Sequence, residues 1–312
     1  MMDAEDRELF EQSLRAAVDA GGTDLDPALA DLGWLDALAI DPQAAVAVLF
    51  PLQGRAGATS SALSHVVRDA LGVDDPLPVV LPALGQTEPP GRAEGNRVVV
   101  RGLASAATGR AVVVVAGTGG EAVAGTIALD ALAAREVHGL DPVLGLVELT
   151  GETMVTDARL VDWIPALGRA QLAVGHELVG ASRRMLELAR EHALNRIQFG
   201  QPIARFQAVR HRLAEALVAV EMADALLAAA WDDTAPESAA IAKAVAGRSA
   251  RTTARHCQQV LAGMGFTTEH DLHRYVRRVY VLDELLGSST RLTSALGRHL
   301  VATRSLPAPL PL

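Results

Sequence analysis

The sequence predicts a mainly α-helical protein with a small β domain at its centre. An N-terminal helical domain comes first, a shortened sheet domain second, and a C-terminal bundle of four-helix type last. Three observations predict this. Half of the 312 residues are hydrophobic while aromatics make up only 3%, the composition of a helix-rich globular chain. Short Val-rich runs, broken by Gly and Asp-Pro, are confined to the middle third. Long stretches of helical periodicity fill the last half. The expected boundaries are 1–75, 76–158 and 159–304, with a Pro-rich tail over 305–312.

In the first region Leu9, Phe10, Leu14 and Val18 form one apolar stripe. DLGWLDALAI (31–40) and SALSHVVRDALG (61–72) predict further helices, the last stopped by Gly72. Pro and Gly are dense over 76–95. The runs 97–102, 111–116, 123–129 and 143–149 then predict a small antiparallel sheet.

From residue 160 the pattern is helical again. A first helix over about 160–195 carries Leu172, Gly175, Val179, Ser182, Leu186, Ala189 and Ala193 as its apolar stripe. Arg183, Arg184, Glu187, Arg190 and Glu191 lie on its other face. A second helix over 206–231 is about 40 Å long at ~1.5 Å per residue. Thr234 and Glu237, with Pro236 between, read as a capping box for a third helix that ends near Gly263 and Gly265. A shorter helix covers 269–285. Gly287 ends it, and Ser288 or Ser289 caps a last helix to about residue 301. Val174, Val179, Leu285, Leu286, Leu292 and Leu296 add apolar residues beyond one stripe, which predicts association through residues 160–303.

Charge and special residues exclude several classes. The net charge is −9 and the pI about 5.5, with no basic stripe, so nucleic-acid binding is not expected. The single cysteine, Cys257, excludes a disulfide within the chain and reads as a buried, inert thiol. MMDAEDRELFEQ is acidic and polar, unlike a signal or transit sequence. No uncharged apolar run reaches ~18 residues, so no membrane span is expected. The reading is a soluble, cytoplasmic protein. His138, His176, His211, His256, His270, His273 and His299 show no metal-ligand spacing and read as surface or core histidines, with no metal site.

The most informative stretch is RIQFGQPIARFQ, residues 196–207, between two long helical patterns. A turn needs only the Gly and the Pro. Arg196, Gln198, Phe199, Ile203, Phe206 and Gln207 are more than a turn needs. The string resembles the flavin-contacting signature of the acyl-CoA dehydrogenases. CQQVLAGMGFTTEHDLHRYVRR resembles that family's QILGGxGY/F…TE…RD segment, with Gln259, Gly263, Gly265, Phe266, Glu269 and Arg277 in register. Ala262 stands for the first of its two glycines. GSSTRLTSALGRHL resembles the segment after the family's Glu-Gly-Thr, and Thr87-Glu88-Pro89 resembles the opening of its flavin-binding sheet.

The resemblance implies an acyl-CoA dehydrogenase-like fold and FAD as cofactor. It also implies that Arg196, Gln198, Phe199, Ile203, Phe206, Gln207, Gln259 and Gly263 reach a flavin held mainly by a neighbouring subunit, with Ser288 and Thr290 as further contacts. It implies an empty catalytic position too. The family's catalytic glutamate falls at Leu286, and the alternative base of some relatives falls at about Ala170. Among nearby acids, Glu284 and Asp283 lie two and three residues before Leu286, and Glu177 lies two helical turns after Ala170. These three are weak candidates for a relocated base and otherwise read as solvated or capping carboxylates. The family's Trp-Ile-Thr strand is absent, and PGRAEGNRVVVRG follows Pro89. What a subunit gives its own active site is therefore eroded, while what it gives a neighbour's flavin is kept. The expectation is a non-catalytic partner of a catalytic acyl-CoA dehydrogenase subunit in an α2β2 complex acting on an acyl-CoA. An active homomeric enzyme with a relocated base and a flavin-free acyl-CoA-binding protein are the alternatives.

Overall fold

The computed structural model describes residues 4–19, 22–117, 121–233, 235 and 237–304. Five helices come first: α1 (Ala4–Asp19), α2 (Asp26–Asp31), α3 (Trp34–Ile40), α4 (Pro42–Ala56) and α5 (Ala62–Ala70). Phe10 and Leu14 of α1 are buried, but Leu9 is exposed, so the expected stripe is narrower than its sequence. α4 has no counterpart in the sequence reading. It carries Pro51 in its interior, normally a helix breaker, and its outer face, Gln43, Ala47, Pro51 and Arg55, is only half polar. Asp41 caps its start by accepting from Ala44 N–H at 3.0 Å.

Eight strands follow: β1 (Leu81–Pro82), β2 (Gly91–Glu94), β3 (Arg97–Ala104), β4 (Arg110–Ala116), β5 (Ala122–Ala128), β6 (Ala133–Glu136), β7 (Val147–Thr153) and β8 (Thr156–Val161). The order is β6-β7-β3-β2-β4-β5-β8, with β1 on β3. The expected sheet is there, with one parallel pair, β2 with β4, among antiparallel neighbours. Four strands escaped the sequence. β6 is exposed throughout and β8 nearly so, so these edges carry no alternation to detect. β1 and β2 are short. In β4, Val112 and Val114 join the core shared with the helical bundle, while Ala111, Val113 and Val115 join a second core built from the 80–149 segment alone. The sheet therefore curls around its own interior and rests one face on the bundle.

The bundle consists of α6 (Trp163–Asn195), α7 (Gln207–Asp232), α8 (Ser238–Leu261), α9 (Leu272–Glu284) and α10 (Ser289–Thr303). Between α6 and α7 lies a hairpin of β9 (Ile197–Gln198) and β10 (Gln201–Pro202). α6 starts at Trp163 rather than near 160, because β8 runs to Val161. Its central stretch, 170–182, is buried on every side, so the one-stripe reading was too narrow: this helix is the axis of the protein. Val174, Val179, Leu285, Leu286 and Leu292 are likewise core residues and offer no surface for association. The exposed apolar residues of the bundle helices include Leu217, Val218 and Met222 on α7, Ile164 and Leu194 on α6 and Val301 on α10. Thr234 and Pro236 of the expected capping box, and the Pro-rich tail, lie outside the described residues. Asp233 stands at that helix start, accepting from Ala235 N–H at 2.9 Å and Ser238 Oγ–H at 2.7 Å. Ser288 caps α10 as expected.

α4 crosses α6 backbone to backbone. A Cβ on Gly180 would lie 2.1 Å from Pro51 O, and one on Gly54 would lie 2.1 Å from Glu177 O. No side chain fits there without moving a helix. Gly180→Ala is therefore expected to destabilise the protein by about 3 kcal/mol or more. Gly263→Ala, where a Cβ meets nothing within 4 Å, should cost far less. Chemical denaturation of the two variants checks this.

Candidate cofactor-binding site

Because the bundle runs antiparallel, the α6–α7 and α8–α9 connections share one end. The end of α6 and the α8–α9 connection therefore lie side by side, as the edge-to-face contact of His192 with His270 at 6.3 Å shows. Arg196 closes α6 by donating its N–H to His192 O, and its own carbonyl accepts from Ile203 N–H, both at 2.8 Å. Phe199 and Gly200 have φ of 52° and 79°, the two positive values of a type I′ hairpin turn. A left-handed phenylalanine costs on the order of 1–2 kcal/mol. Its ring is 92% exposed and touches Phe206 edge to face at 6.2 Å. A simple helix corner would bury this ring. Here a strained backbone holds it in solvent.

Arg196, Gln198 and Gln207 are exposed around it, and Ile203 and Phe206 are half-buried beneath. Arg196 enters no ion pair among the described residues. Gln259 is exposed on the last turn of α8, and Gly263 stands in open space. It is Gly265, not Gly263, that packing demands, since a Cβ there would lie 2.6 Å from Gln258 O. Ala262 ends α8 with φ 51° and ψ −131°, a conformation that suits the glycine of the resembled motif.

Ser288 and Thr290 lie elsewhere. Lys243 meets the 283–287 turn, and Gln259 is 16 residues further along the same helix, about 24 Å at ~1.5 Å per residue. The structure thus splits the expected cofactor residues into two groups. Ser288 is buried and serves as a helix cap, while Thr290 is exposed.

The expected base positions are both closed. Leu286 has φ 57° and is fully buried, and Ala170 is fully buried in the same apolar core. Gln171 Nε2 donates to Leu286 O at 2.9 Å, so the two positions are neighbours. Trp163 Nε1 donates to Thr87 O at 2.9 Å, and Thr87 packs at Gly287, which sets the Thr-Glu-Pro segment against this turn. Lys243 fixes the turn by donating to Asp283 O at 3.0 Å and Gly287 O at 3.3 Å. Burial lowers its pKa to about 8. It is the single lysine among 28 basic residues, a signal available in the sequence: three donors on a slim stem fit a buried cluster of carbonyls that a guanidinium would overfill.

Of the three nearby acids, Asp283 and Glu177 are buried and Glu284 is half-buried. Asp283 is fully buried, pairs with Arg251 at 3.2 Å and accepts from Ser289 N–H at 3.0 Å. Glu284 is half-buried beside Gly85, whose N–H donates to Glu284 O at 2.7 Å. Glu177 is the correction of most consequence. It is buried, accepts from Gln53 Nε2 at 3.0 Å and Arg278 Nη1 at 3.4 Å, and Arg278 Nε reaches Asp141 Oδ2 at 2.6 Å. Burial raises its pKa to about 7 against the pull of Arg278. Beside it, His176 accepts from Trp231 Nε1–H at 3.3 Å, and burial lowers its pKa to about 4. Cys257 is buried, with its thiol pushed up to about 12.

Residues 163–301 match the family model "Acyl-CoA dehydrogenase, C-terminal domain". Acyl-CoA dehydrogenase IpdE2 of Mycobacterium tuberculosis is 34% identical over 179 residues, 56% of this chain and 53% of the relative; the chain thus spans about half the length of that relative. The ChsE4-ChsE5 complex of Mycobacterium tuberculosis superposes with a TM-score of 0.77 at 22% identity, over 98% of this chain and 99% of the matched one. The Tcur3481-Tcur3483 steroid ACAD superposes at 0.76 and 20% identity, over 96% and 99%. The bundle of this chain is an acyl-CoA dehydrogenase C-terminal domain, and the whole chain has the acyl-CoA dehydrogenase fold. Among the described residues no helix is long and apolar enough to cross a membrane.

Two neighbours on α6 oppose each other in their dependence on pH. Glu177 binds its proton more tightly folded, near 7, than unfolded, near 4.5. Its contribution to stability is full below about 4.5 and is lost as pH rises to about 7, by at most ~3 kcal/mol. His176 binds its proton less tightly folded, near 4, than unfolded, near 6.5. Its contribution is full above about 6.5 and is lost as pH falls toward 4. Denaturation of Glu177→Gln across pH 4.5–7 should therefore show stability rising with pH more steeply than in the unmodified protein. Parallel curves for the two proteins would contradict the assignment.

Proposed function

We propose that this chain is the non-catalytic partner in a heteromeric acyl-CoA dehydrogenase, and that its hairpin end completes the FAD site of a catalytic subunit. One observation carries the reading: the contrast between the two ends of the bundle. At one end Arg196, Phe199, Gln259 and Gly263 stand exposed, with Phe199 held out by a left-handed backbone. At the other, both base positions are apolar and sealed.

The hairpin end fits FAD as half a site. Arg196 offers an unpaired guanidinium, which suits a diphosphate bidentately. Phe199 offers a ring face, and Gly263 leaves room for a close approach. When bound, FAD supplies the hydride acceptor of acyl-CoA dehydrogenation. The base that removes the α-proton must then come from the partner, since neither Leu286 nor Ala170 can take a proton. Two copies of each chain, acting on an acyl-CoA, make the expected assembly. The pairing of unlike chains in the ChsE4-ChsE5 and Tcur3481-Tcur3483 structures supports a partner. The steroid substrate class named for the second supports a bulky acyl group here.

One observation favours a second reading, an active homomeric enzyme. Glu177 is a buried carboxyl with a pKa of about 7, as a general base requires. Against it, both of its oxygens already accept hydrogen bonds from Gln53 and Arg278.

Purified alone, the chain should show negligible turnover with any acyl-CoA, and Leu286→Glu should not restore it. Dye reduction that disappears in Glu177→Gln would establish the homomeric enzyme instead. In a reconstituted complex, Arg196→Ala should weaken FAD binding about 10- to 100-fold, the loss of one charge-assisted contact. Phe199→Ala should weaken it further. Unchanged FAD affinity in both variants would reduce the motif to a surface hairpin.

A further inference from the structure

Between α1, α4, α6 and α7 the fold leaves a cavity of about 1260 Å³. It lies on another side of α6 from the base-position turn. Gln171 faces Leu286, and His176, which lines the cavity, is five residues on, about 140° around the helix at ~3.6 residues per turn. Val48, His176 and Gly180 are the buried part of the wall near this point, with Ala47 and Pro51 half-buried beside them. Only His176 among these five carries a polar side chain. Its Nε2 accepts from Trp231 Nε1–H at 3.3 Å. Tryptophan only donates, so the single proton of the neutral ring stands on Nδ1. Burial lowers the pKa of His176 to about 4 against the upward pull of Asp224, which keeps the ring neutral. Nδ1 is buried and has no hydrogen-bond partner among the described residues. The charges around the cavity cancel. Five of its arginines pair with five carboxylates, as Arg183 does with Asp224 at 2.8 Å and Glu221 at 3.2 Å. Arg7 and Asp19 stand outside these pairs, one of each sign.

We propose that this cavity binds a neutral molecule with an apolar body and a carbonyl oxygen, which accepts from His176 Nδ1–H. A buried donor is normally met by an acceptor. A carbonyl brings an acceptor and no donor of its own, and the wall beside His176 has no side chain to receive one. A carboxylate would leave water for a neutral ring, and an ammonium group would find no acceptor there. The balanced ion pairs draw neither sign into the cavity. A polyanionic ester is excluded on the same ground, so this is not a second site for an acyl-CoA. The inference does not depend on the proposed function, because His176 faces away from Leu286 and takes no part in the hairpin end.

Titration of the full chain followed by nuclear magnetic resonance tests it, with acetophenone as the probe. Ethylbenzene has the same body without the acceptor, while benzoate and benzylamine add a charge of either sign. Acetophenone should saturate one site per chain. It should shift the ring signal of His176 Nδ1 and the indole N–H of Trp231, and leave those of Trp34 and Trp163 in place. It should bind about threefold or more tighter than ethylbenzene, the loss of one neutral hydrogen bond, and tighter than both charged probes. Acetyl-CoA, which carries a methyl carbonyl on a polyanion, should not displace it. His176→Phe keeps a ring and removes the donor, so acetophenone should fall to the affinity of ethylbenzene. Should that variant fail to fold, because Trp231 N–H loses its acceptor, the probe series on the unmodified chain decides alone. Absence of saturable binding, with Nδ1–H meeting water only, would overturn the proposal. So would equal affinity for acetophenone and ethylbenzene, or displacement by acetyl-CoA.

Discussion

The buried cluster around Glu177 holds the parts of this protein together. Glu177 stands at the middle of α6, which is enclosed on all sides. Gln53 reaches it from α4 and Arg278 from α9, and Arg278 also takes Asp141 from the loop between β6 and β7. Arg278 Nη1 donates as well to Ala58 O. Helical N-terminus, sheet and bundle thus converge on one guanidinium. Taking these charges out of water is costly, and their attraction offsets the cost only when every donor and acceptor is met. The glycine contacts make that possible. Gly54 and Gly180 let α4 and α6 approach to backbone distance, which brings Gln53 within reach of Glu177. A carboxylate so engaged is a poor proton acceptor for a substrate, so the constraint that organises the fold also argues against this residue as the base.

The antiparallel bundle has a functional consequence. The hairpin and the base-position turn are joined by α9, whose 13 residues span about 20 Å at ~1.5 Å per residue. Within one chain the exposed Arg196 and Phe199 therefore cannot serve chemistry at Leu286. They can serve only a ligand that extends away from this subunit. The two ends differ in kind: strained, polar and exposed against apolar and closed.

Legibility in the sequence follows the same physics. Long helices with one polar face announced themselves, and the Ser288 cap and the Gly287 break were readable because they rest on local chemistry. α4 was not, because its outer face is only half polar and Pro51 argues against a helix. β6 and β8 were not, because exposed edges do not alternate. Among the residues expected at the flavin, motif order does not show that Ser288 is a buried helix cap rather than an exposed contact. Lys243 was the clearest missed signal. A chain that uses arginine for every other basic side chain has a specific reason to keep one lysine, and the Ala-rich run around it marked a buried helix face.

Leu286 shows how the fold closes this turn to a carboxylate. The turn that carries it is held from below by Lys243 and from the side by Gln171, and its left-handed backbone points position 286 into the core shared by sheet and bundle. A carboxylate there would lie among apolar side chains with no donor supplied by Ala170. It would either stay protonated or force the core to admit water. Leucine fills the space and ties the sheet to the bundle through apolar contact. The position serves packing. A solvated carboxylate there would require the neighbouring core to open as well, which no single substitution at 286 achieves.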